Sequence, residues 1–499
     1  MSSSTRIVSV RDALRSPRTL SREVLAGLVT TLALVPEVIS FAVVAGVDPM
    51  TALVASVVLV LAMSFLGGRP GVITAAAGSV ALVVAPMTHA HGTAYLLPTI
   101  VLAGLLQVLF GVTGLARLMR YVPRSVMLGF VNALGILIFT AQVPHVLTVL
   151  RTGNWAGVII FVGALLVVVL LPLVLKAVPA PLVAVVLATA AVIIWHLAVP
   201  DVADEGRIGG GLPGLTPWTV PLDVQTLRII VPTALSVALV GLMESLLTAK
   251  LVDEITETPS SKRRESWGLG VANILSAAYG GTGGCAMIGQ TVLNVKTGGG
   301  RTRVSTFACG VVLLGLITAL SDTMGRIPMV SLAAVMMLVA VTTVNWHSVR
   351  PSTLRRMPFS ETMVMVVTIV VVVATGNLAL GVVAGVVLAA VLFARRVAHV
   401  VTVSRELLTE PDGEIAQYTV SGPLFFASSN DLVEHFRYAE DPARVRIDLS
   451  RAQVWDASTV ASLDAIETHY AKHHATVSIT GLDERSTRFH GRLSGKLGG

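Results

Sequence analysis

From Glu23 to about Val400 the chain repeats one motif, roughly twenty apolar residues followed by a few polar or basic ones. A run of that length spans a bilayer core as a helix, and a helix satisfies its backbone groups internally, as lipid requires. The short apolar–polar alternation of a membrane barrel is absent. The runs centre near Leu34, Leu59, Leu82, Gln107, Leu134, Leu165, Val186, Val240, Ile274, Thr291, Leu314, Met336, Val370 and Val387, predicting about fourteen transmembrane segments. Those near Leu82, Ile274 and Thr291 are short or interrupted by glycine.

Past about Ala398 the pattern changes. VRIDLS alternates as a strand, and Ala457 to Tyr470 puts Val460, Leu463 and Ile466 on one helical face. The predicted organisation is a cytoplasmic segment 1–22, a polytopic α-helical membrane domain 23–398 and a small cytoplasmic α/β domain 399–499.

Composition agrees. The chain is 54% hydrophobic and 13% charged, against about 25% charged in soluble domains, and mean hydropathy is +0.79. Its net charge of +7 sits in loops: Arg6 to Arg22, Arg69, Arg117/Arg120/Arg124, Lys176, Lys262 to Arg264, Lys296/Arg301/Arg303, Arg350/Arg355/Arg356 and Arg395/Arg396. With fourteen crossings and the N-terminus inside, every cluster falls on the cytoplasmic side. The longest opposite loop, 200–225, carries Asp201, Asp204, Glu205 and Asp223. The positive-inside rule therefore predicts a multi-pass protein of the cell (inner) membrane with both termini cytoplasmic. The charge needs no nucleic-acid partner. The first residues are basic but lack a small-residue cleavage site, so they read as a cytoplasmic lead-in and not as a signal peptide. Cys285 and Cys309 make no disulfide framework. No phosphate-binding loop, zinc pattern or Ser-His-Asp order suggests an enzyme or a cofactor. His89, His91, His145 and His196 lack metal-ligand spacing and read as interfacial.

Two carboxylates break the apolar pattern. Glu37, after Pro36 in LVPEVISFA, lies in the first segment of the first seven; Glu244, in VGLMESLLTAKLVDE, lies in the first segment of the second seven. Each half then has a glycine-rich interruption two segments on, GGRPGVITAAAGSVALVV and YGGTGGCAMIGQTVLNV. The glutamates are 207 residues apart and the Gly-Gly pairs 213. Seven is odd, so the halves are predicted to be inverted repeats, and matched broken segments point to a transporter's binding site. Half-helices beginning near Gly78 and Ala286 would aim free N–H groups and positive dipole ends at the midplane. Ser79, Gln290 and the backbone of Cys285, Ala286 and Met287 are the predicted oxyanion donors. Packing glycines, as Gly381 and Gly385 are read, are the bland alternative. A carboxylate at bilayer depth costs roughly 3 kcal/mol or more, so it pairs, binds a cation or stays protonated. A helix break at Pro36 is expected to let water reach Glu37. Asp253, Glu254 and Glu257, beside Lys262 to Arg264, read as a solvated loop.

These stretches resemble the sulfate permease (SulP) family over nearly the whole length. LVPEVISFAVVAGVDP resembles its first-helix signature, MESLLTAKLVDEIT with ESWGLGVANILSAAYGG its eighth and ninth segments, and NVKTGGGRTRVST the turn after the tenth. SGPLFFASSNDL and IDLSRAQVWDASTVASLDAI resemble a STAS domain. The resemblance implies fourteen helices as 7+7 inverted repeats, a core domain (segments 1–4 and 8–11) moving against a gate domain (5–7 and 12–14), and a homodimer. It implies an anion between the half-helices at Gly78/Ser79/Val80 and Ala286/Met287, near Glu37, Ser40 and Phe41. In the family's bicarbonate transporters an aspartate and a threonine resembling Glu244 and Thr248 help hold sodium, so Na+ at Glu244 and Thr248 is one expectation. Many relatives carry an arginine where this chain has Gln290, a departure that favours anion uptake with a cation over exchange. Ser458 falls near the phosphorylated serine of related anti-sigma-factor antagonists, or caps its helix.

The reading is a secondary active transporter of sulfate, bicarbonate or a small carboxylate, coupled to H+ or Na+, with a possible cytoplasmic partner for its STAS domain. Two rivals are a nucleobase permease of the same fold and a membrane sensor that binds anion without moving it.

Overall fold

The computed structural model describes residues 10–115, 122–175, 179–205, 214–221, 223–398, 400–411 and 413–495. Arg6, Arg117, Arg120 and Lys176 of the basic clusters, and the predicted domain boundary at residue 399, lie outside them. The chain forms two compact units, 1–386 and 387–499.

In the first unit α1 (Val10–Arg15) precedes α2 (Pro17–Val44) and α3 (Pro49–Leu66). α2 starts before the expected Glu23, because Ser16 caps it and Pro17 occupies the first turn. A short strand β1 (Thr74–Ala75) leads into α4 (Gly78–His91), then α5 (Leu96–Thr113), α6 (Arg124–Arg151), α7 (Trp155–Val174), α8 (Ala180–Ile194) and the one-turn α9 (Val202–Glu205). α10 (Val224–Thr256) and α11 (Lys262–Ala277) follow. Strand β2 (Cys285–Ala286) then leads into α12 (Ile288–Val292), prolonged by a π turn Leu293–Thr297. α13 (Arg303–Gly325), α14 (Met329–Thr343), the short α15 (Trp346–Val349) and α16 (Pro351–Leu354) and α17 (Phe359–Thr375) follow, and α18 (Leu378–Ala398) begins in this unit and ends in the next. Every predicted segment centre falls within one of these helices. Eight of the described helices are long and apolar enough to cross a membrane by length and composition. Within their most apolar stretches, α2, α3 and α10 are 67% buried but α7 and α18 only 22%, so the last two lie at the outside of the bundle.

The helices sort into two packed groups. α2, α3, α5, α10, α11 and α13 pack on one another, and α6, α7, α8, α14 and α17 form the second group. Gly381 and Gly385 do serve close packing: a Cβ on either would meet α17, through Val372 and Thr368.

The two interrupted segments cross within the first group. β1 and β2 pair antiparallel, Thr74 opposite Ala286 and Ala75 opposite Cys285. This extended backbone is buried, so each polar group needs a partner. Met287 N–H donates to the Ile73 carbonyl (2.9 Å), Ile73 N–H to Thr291 Oγ1 (3.0 Å) and Ala286 N–H to Ser245 Oγ (3.0 Å). Ala76 N–H donates to Ser56 Oγ (3.1 Å), and Asn273 Oδ1 accepts from Gly284 N–H (2.7 Å). Two buried carboxylates tie down the loops: Glu265 accepts the N–H groups of Gly68 and Arg69 (2.7 and 3.0 Å), and Glu23 those of Arg301 and Thr302 (2.8 and 3.2 Å). Asp253 is not the solvated residue expected, since it pairs with Arg69 (3.3 Å) and Lys262 (2.6 Å), whereas Glu254 and Glu257 are exposed.

The second unit is a four-stranded sheet in the order β3 (Thr402–Glu410), β4 (Gly413–Leu424), β5 (Arg444–Val454), β6 (Thr476–Thr480), with β3/β4 antiparallel and the others parallel. Helices α19 (Phe426–Glu434), α20 (Ala457–Lys472) and α21 (Glu484–Leu493) accompany it. VRIDLS lies in β5, and Val460, Leu463 and Ile466 of α20 are fully buried, as the alternation and helical spacing predict. Asp441 joins Arg405 (2.6 Å) to the hydroxyls of Tyr418 (2.7 Å) and Tyr470 (2.5 Å). Burial, then the bond to Asp441, holds both tyrosines above their usual range. Ser458 does not cap α20: Asp456 does, accepting Thr459 N–H at 3.1 Å, and Ser458 is exposed.

Candidate functional site

Both half-helices start without a side-chain cap. The first intrahelical bond of α4 is Ala81 N–H to the Ala77 carbonyl (2.9 Å), and that of α12 is Thr291 N–H to the Met287 carbonyl (3.0 Å). The N–H groups of Gly78, Ser79 and Val80, and of Ile288, Gly289 and Gln290, therefore have no acceptor within their own helix. This moves the expected donors on the second half-helix. The N–H groups of Ala286 and Met287 are spent on Ser245 and Ile73, so the open backbone begins two residues later.

A cavity of about 480 Å³ opens at these ends. Glu37 and Phe41 of α2, Gly78 and Ser79 of α4, Glu244 of α10, and Met287 with Gln290 at α12 line it, as the sequence anticipated. Five anticipated residues do not. Ser40 Oγ donates back to the Pro36 carbonyl (2.9 Å), Val80 is fully buried, and Cys285, Ala286 and Thr248 lie behind the wall, each fully buried. The opposite wall comes from the second helix group, with Phe130 of α6, Pro181 of α8 and Thr342 and Thr343 of α14. Sequence reasoning missed that wall. In a helix apolar all round, nothing in the periodicity separates a cavity-facing residue from a lipid-facing one.

The carboxylates differ in surroundings. Glu244, 6% exposed, accepts a hydrogen bond from Ser79 Oγ and another from Cys285 Sγ (3.0 Å), while Ser79 and Cys285 also touch (3.3 Å). Thr248, one turn on, donates instead to the Ala286 carbonyl (3.3 Å). Glu37 is half-buried, with the Gln290 side chain as its hydrogen-bonding neighbour. Each first-segment glutamate thus meets the broken segment of the other half of the chain. α2 runs unbroken through Pro36, contrary to the expected helix break; the missing proline N–H leaves the Leu32 carbonyl without its usual donor. Among the described residues no group of three or more His, Cys, Asp or Glu is placed to hold a metal ion. A Cβ on Gly78 would meet the Phe41 ring, whereas one on Gly289 would meet nothing within 4 Å, so the backbone is most open at Gly289.

Two uncapped helix starts thus converge on one cavity within the apolar helix bundle, lined by polar side chains and by no lysine or arginine. The chain belongs to the sulfate permease family: the model of that family matches residues 20–368, and that of the STAS domain matches residues 407–490. It is 44% identical to the "Putative sulfate transporter YbaR" of Bacillus subtilis, over 94% of this chain and 95% of that one. Its fold is similar to the transmembrane domain of a cyanobacterium bicarbonate transporter, BicA (TM-score 0.65, 24% identity, 74% of this chain and 97% of that one). It is also similar to the murine Slc26a9 anion transporter in the inward-facing state (TM-score 0.80, 17% identity, 95% and 87%).

Proposed function

We propose that this chain is a secondary active transporter that takes up an inorganic oxyanion, sulfate or bicarbonate, together with a proton, by alternating access. The observation that carries the reading is the cavity itself. Uncapped helix starts supply the anion's hydrogen bonds, and a carboxylate hydrogen-bonded to one of those starts supplies the coupling. The names of the relatives support sulfate and bicarbonate and do not favour a nucleobase.

Coupling follows from competition at Ser79. While Glu244 is ionised it holds the Ser79 hydroxyl and places negative charge at the start of α4, where the anion would bind. At an effective dielectric of about 20 and a separation of about 4 Å, one unit of repulsion is worth roughly 4 kcal/mol. A proton on Glu244 removes that penalty and frees Ser79. Burial of Glu244 supports a proton over sodium, since a proton removes a costly buried charge without the several oxygen ligands a sodium ion needs.

The architecture proposed is fourteen spans in two inverted repeats of seven. The packing supports it: α2 on α13 corresponds to α10 on α5, α3 on α13 to α11 on α5, and α6 on α17 to α14 on α7, each under a shift of seven segments. The antiparallel crossing of β1 and β2 agrees. The first helix group would act as the mobile core and the second as the gate, in the inner membrane with both termini cytoplasmic. The family resemblance supports a homodimer. In proteoliposomes, labelled sulfate should accumulate under an inward proton gradient and not under a sodium gradient, with dicarboxylates as comparison and bicarbonate scored only above protein-free vesicles, which trap diffusing CO2. Binding without flux of any anion would favour the sensor instead.

A further inference from the structure

We propose that a phospholipid acyl chain occupies an apolar crevice between α2, α8 and α13, wedged between the two helix groups. The crevice measures about 280 Å³ and lies on the face of α2 away from the anion cavity, along Leu32, Val35 and Pro36. α8 contributes Val185 and Ala190, and α13 contributes Leu316 and Leu320. The backbone of α13 leaves helical geometry at Leu320 (φ −123°, ψ 17°), where the side chain is 44% exposed.

Water does not suit this space. A buried water needs two to four polar partners. Of the two hydroxyl side chains in the lining, Thr189 donates to its own helix at Val185 (2.7 Å), and Thr323 lies at the exposed rim. The mouth is continuous with the lipid-facing surface, since Val186 at the mouth and Leu187 and Ile194 on the same helix are 54%, 53% and 67% exposed. The medium at that surface is acyl chain, and hydrocarbon is the one class of ligand whose chemistry matches the walls.

The placement links the crevice to transport. α2 presents Ala33, Glu37 and Phe41 to the anion cavity and Leu32, Val35 and Pro36 to the crevice. α8 likewise lines the cavity at Pro181 and the crevice from Leu182 onward. A chain seated there contacts α2 and α13 of the first group and α8 of the second, and is squeezed or released whenever the groups shift. That effect on flux rests on the alternating-access reading above; occupancy of the crevice does not.

The test uses the full-length chain. Cys285 and Cys309 are both fully buried, so a cysteine introduced by Val186→Cys takes a thiol-reactive fluorophore selectively. Val383→Cys on the outer surface of α18, 48% exposed, is the comparator. Vesicles of phosphatidylcholine and phosphatidylglycerol brominated on the acyl chains are chased with excess unbrominated lipid. Quenching at Val186→Cys should persist several-fold longer than at Val383→Cys, and filling the crevice with Ala190→Phe should erase the difference. Ala190→Leu, a smaller filling, serves if the phenylalanine variant does not fold. Equal loss of quenching at both positions, or a difference unmoved by a folded filling variant, overturns the proposal. Persistent quenching by a brominated free fatty acid but not by brominated phospholipid overturns the assignment to phospholipid. Failure of either kind leaves proton-coupled uptake untouched, because no flux is measured.

Discussion

The two carboxylate stations of the membrane unit are built alike and loaded differently. At one, Glu244 of α10 meets the start of α4, buried and held by two donors, Ser79 and Cys285. At the other, Glu37 of α2 meets Gln290 in the first turn of α12, half-buried and beside a single neutral amide. A carboxylate that holds a substrate donor must release it before the anion binds, whereas one at the cavity wall can tune the field without being displaced. Burial and donor count thus support the proposal that Glu244 couples and Glu37 tunes.

The largest expected effect removes both stations at once. A Cβ on Gly284 would fall on the Ala75 carbonyl, which cannot move without undoing the β1–β2 pair. Gly284→Val should cost about 1–3 kcal/mol or more by overpacking and lower the melting temperature of the purified protein. An unchanged melting temperature would mean that the crossing does not hold the site together.

Next comes Ser79→Ala, which deletes a donor shared by Glu244 and the anion. Hydrogen bonds to charged groups are worth about 1.5–3 kcal/mol, so anion affinity should fall roughly ten- to a hundredfold. A titration of labelled anion binding measures it. Gln290→Arg should act in the opposite direction and more weakly. It adds the positive charge that the resemblance leads one to expect, tightening binding about tenfold through a charge-assisted bond and loosening the dependence on a proton gradient. Affinity and gradient dependence both unchanged would remove Gln290 from the site. Smallest is Thr248→Val, which loses only a long hydroxyl bond to Ala286 (3.3 Å), worth about 0.5–1.5 kcal/mol. Uphill uptake should survive it; loss of uptake rescued by high sodium would turn the coupling ion from proton to sodium.

What the sequence disclosed follows from what is rare in lipid. Glu37, Glu244, Ser79 and Gln290 stand out because a polar group at that depth must be answered by another, and the structure places all four on one cavity. Glycines at Gly78 and Gly284 marked the interruptions because only a residue without Cβ fits there. The role of the Cys285 thiol was hidden, since a buried cysteine reads as a small apolar residue until its neighbour is known. Phe130, Thr342 and Thr343 were hidden for the reason given above. The π turn after α12 and the unbroken course of α2 through Pro36 depend on packing that no local signal encodes.

The central claim is that Glu244 gates anion entry by giving up Ser79 when it takes a proton. Glu244→Gln keeps the side chain's size and removes its charge for good, so it imitates the protonated state. Reconstituted in vesicles with an inward proton gradient, the variant should bind labelled anion at least as well as the original chain and equilibrate it downhill, with no accumulation above the outside concentration. Accumulation by the variant to the level of the original chain would contradict the claim, and the same loss from Glu37→Gln alone would give the coupling role to the other station.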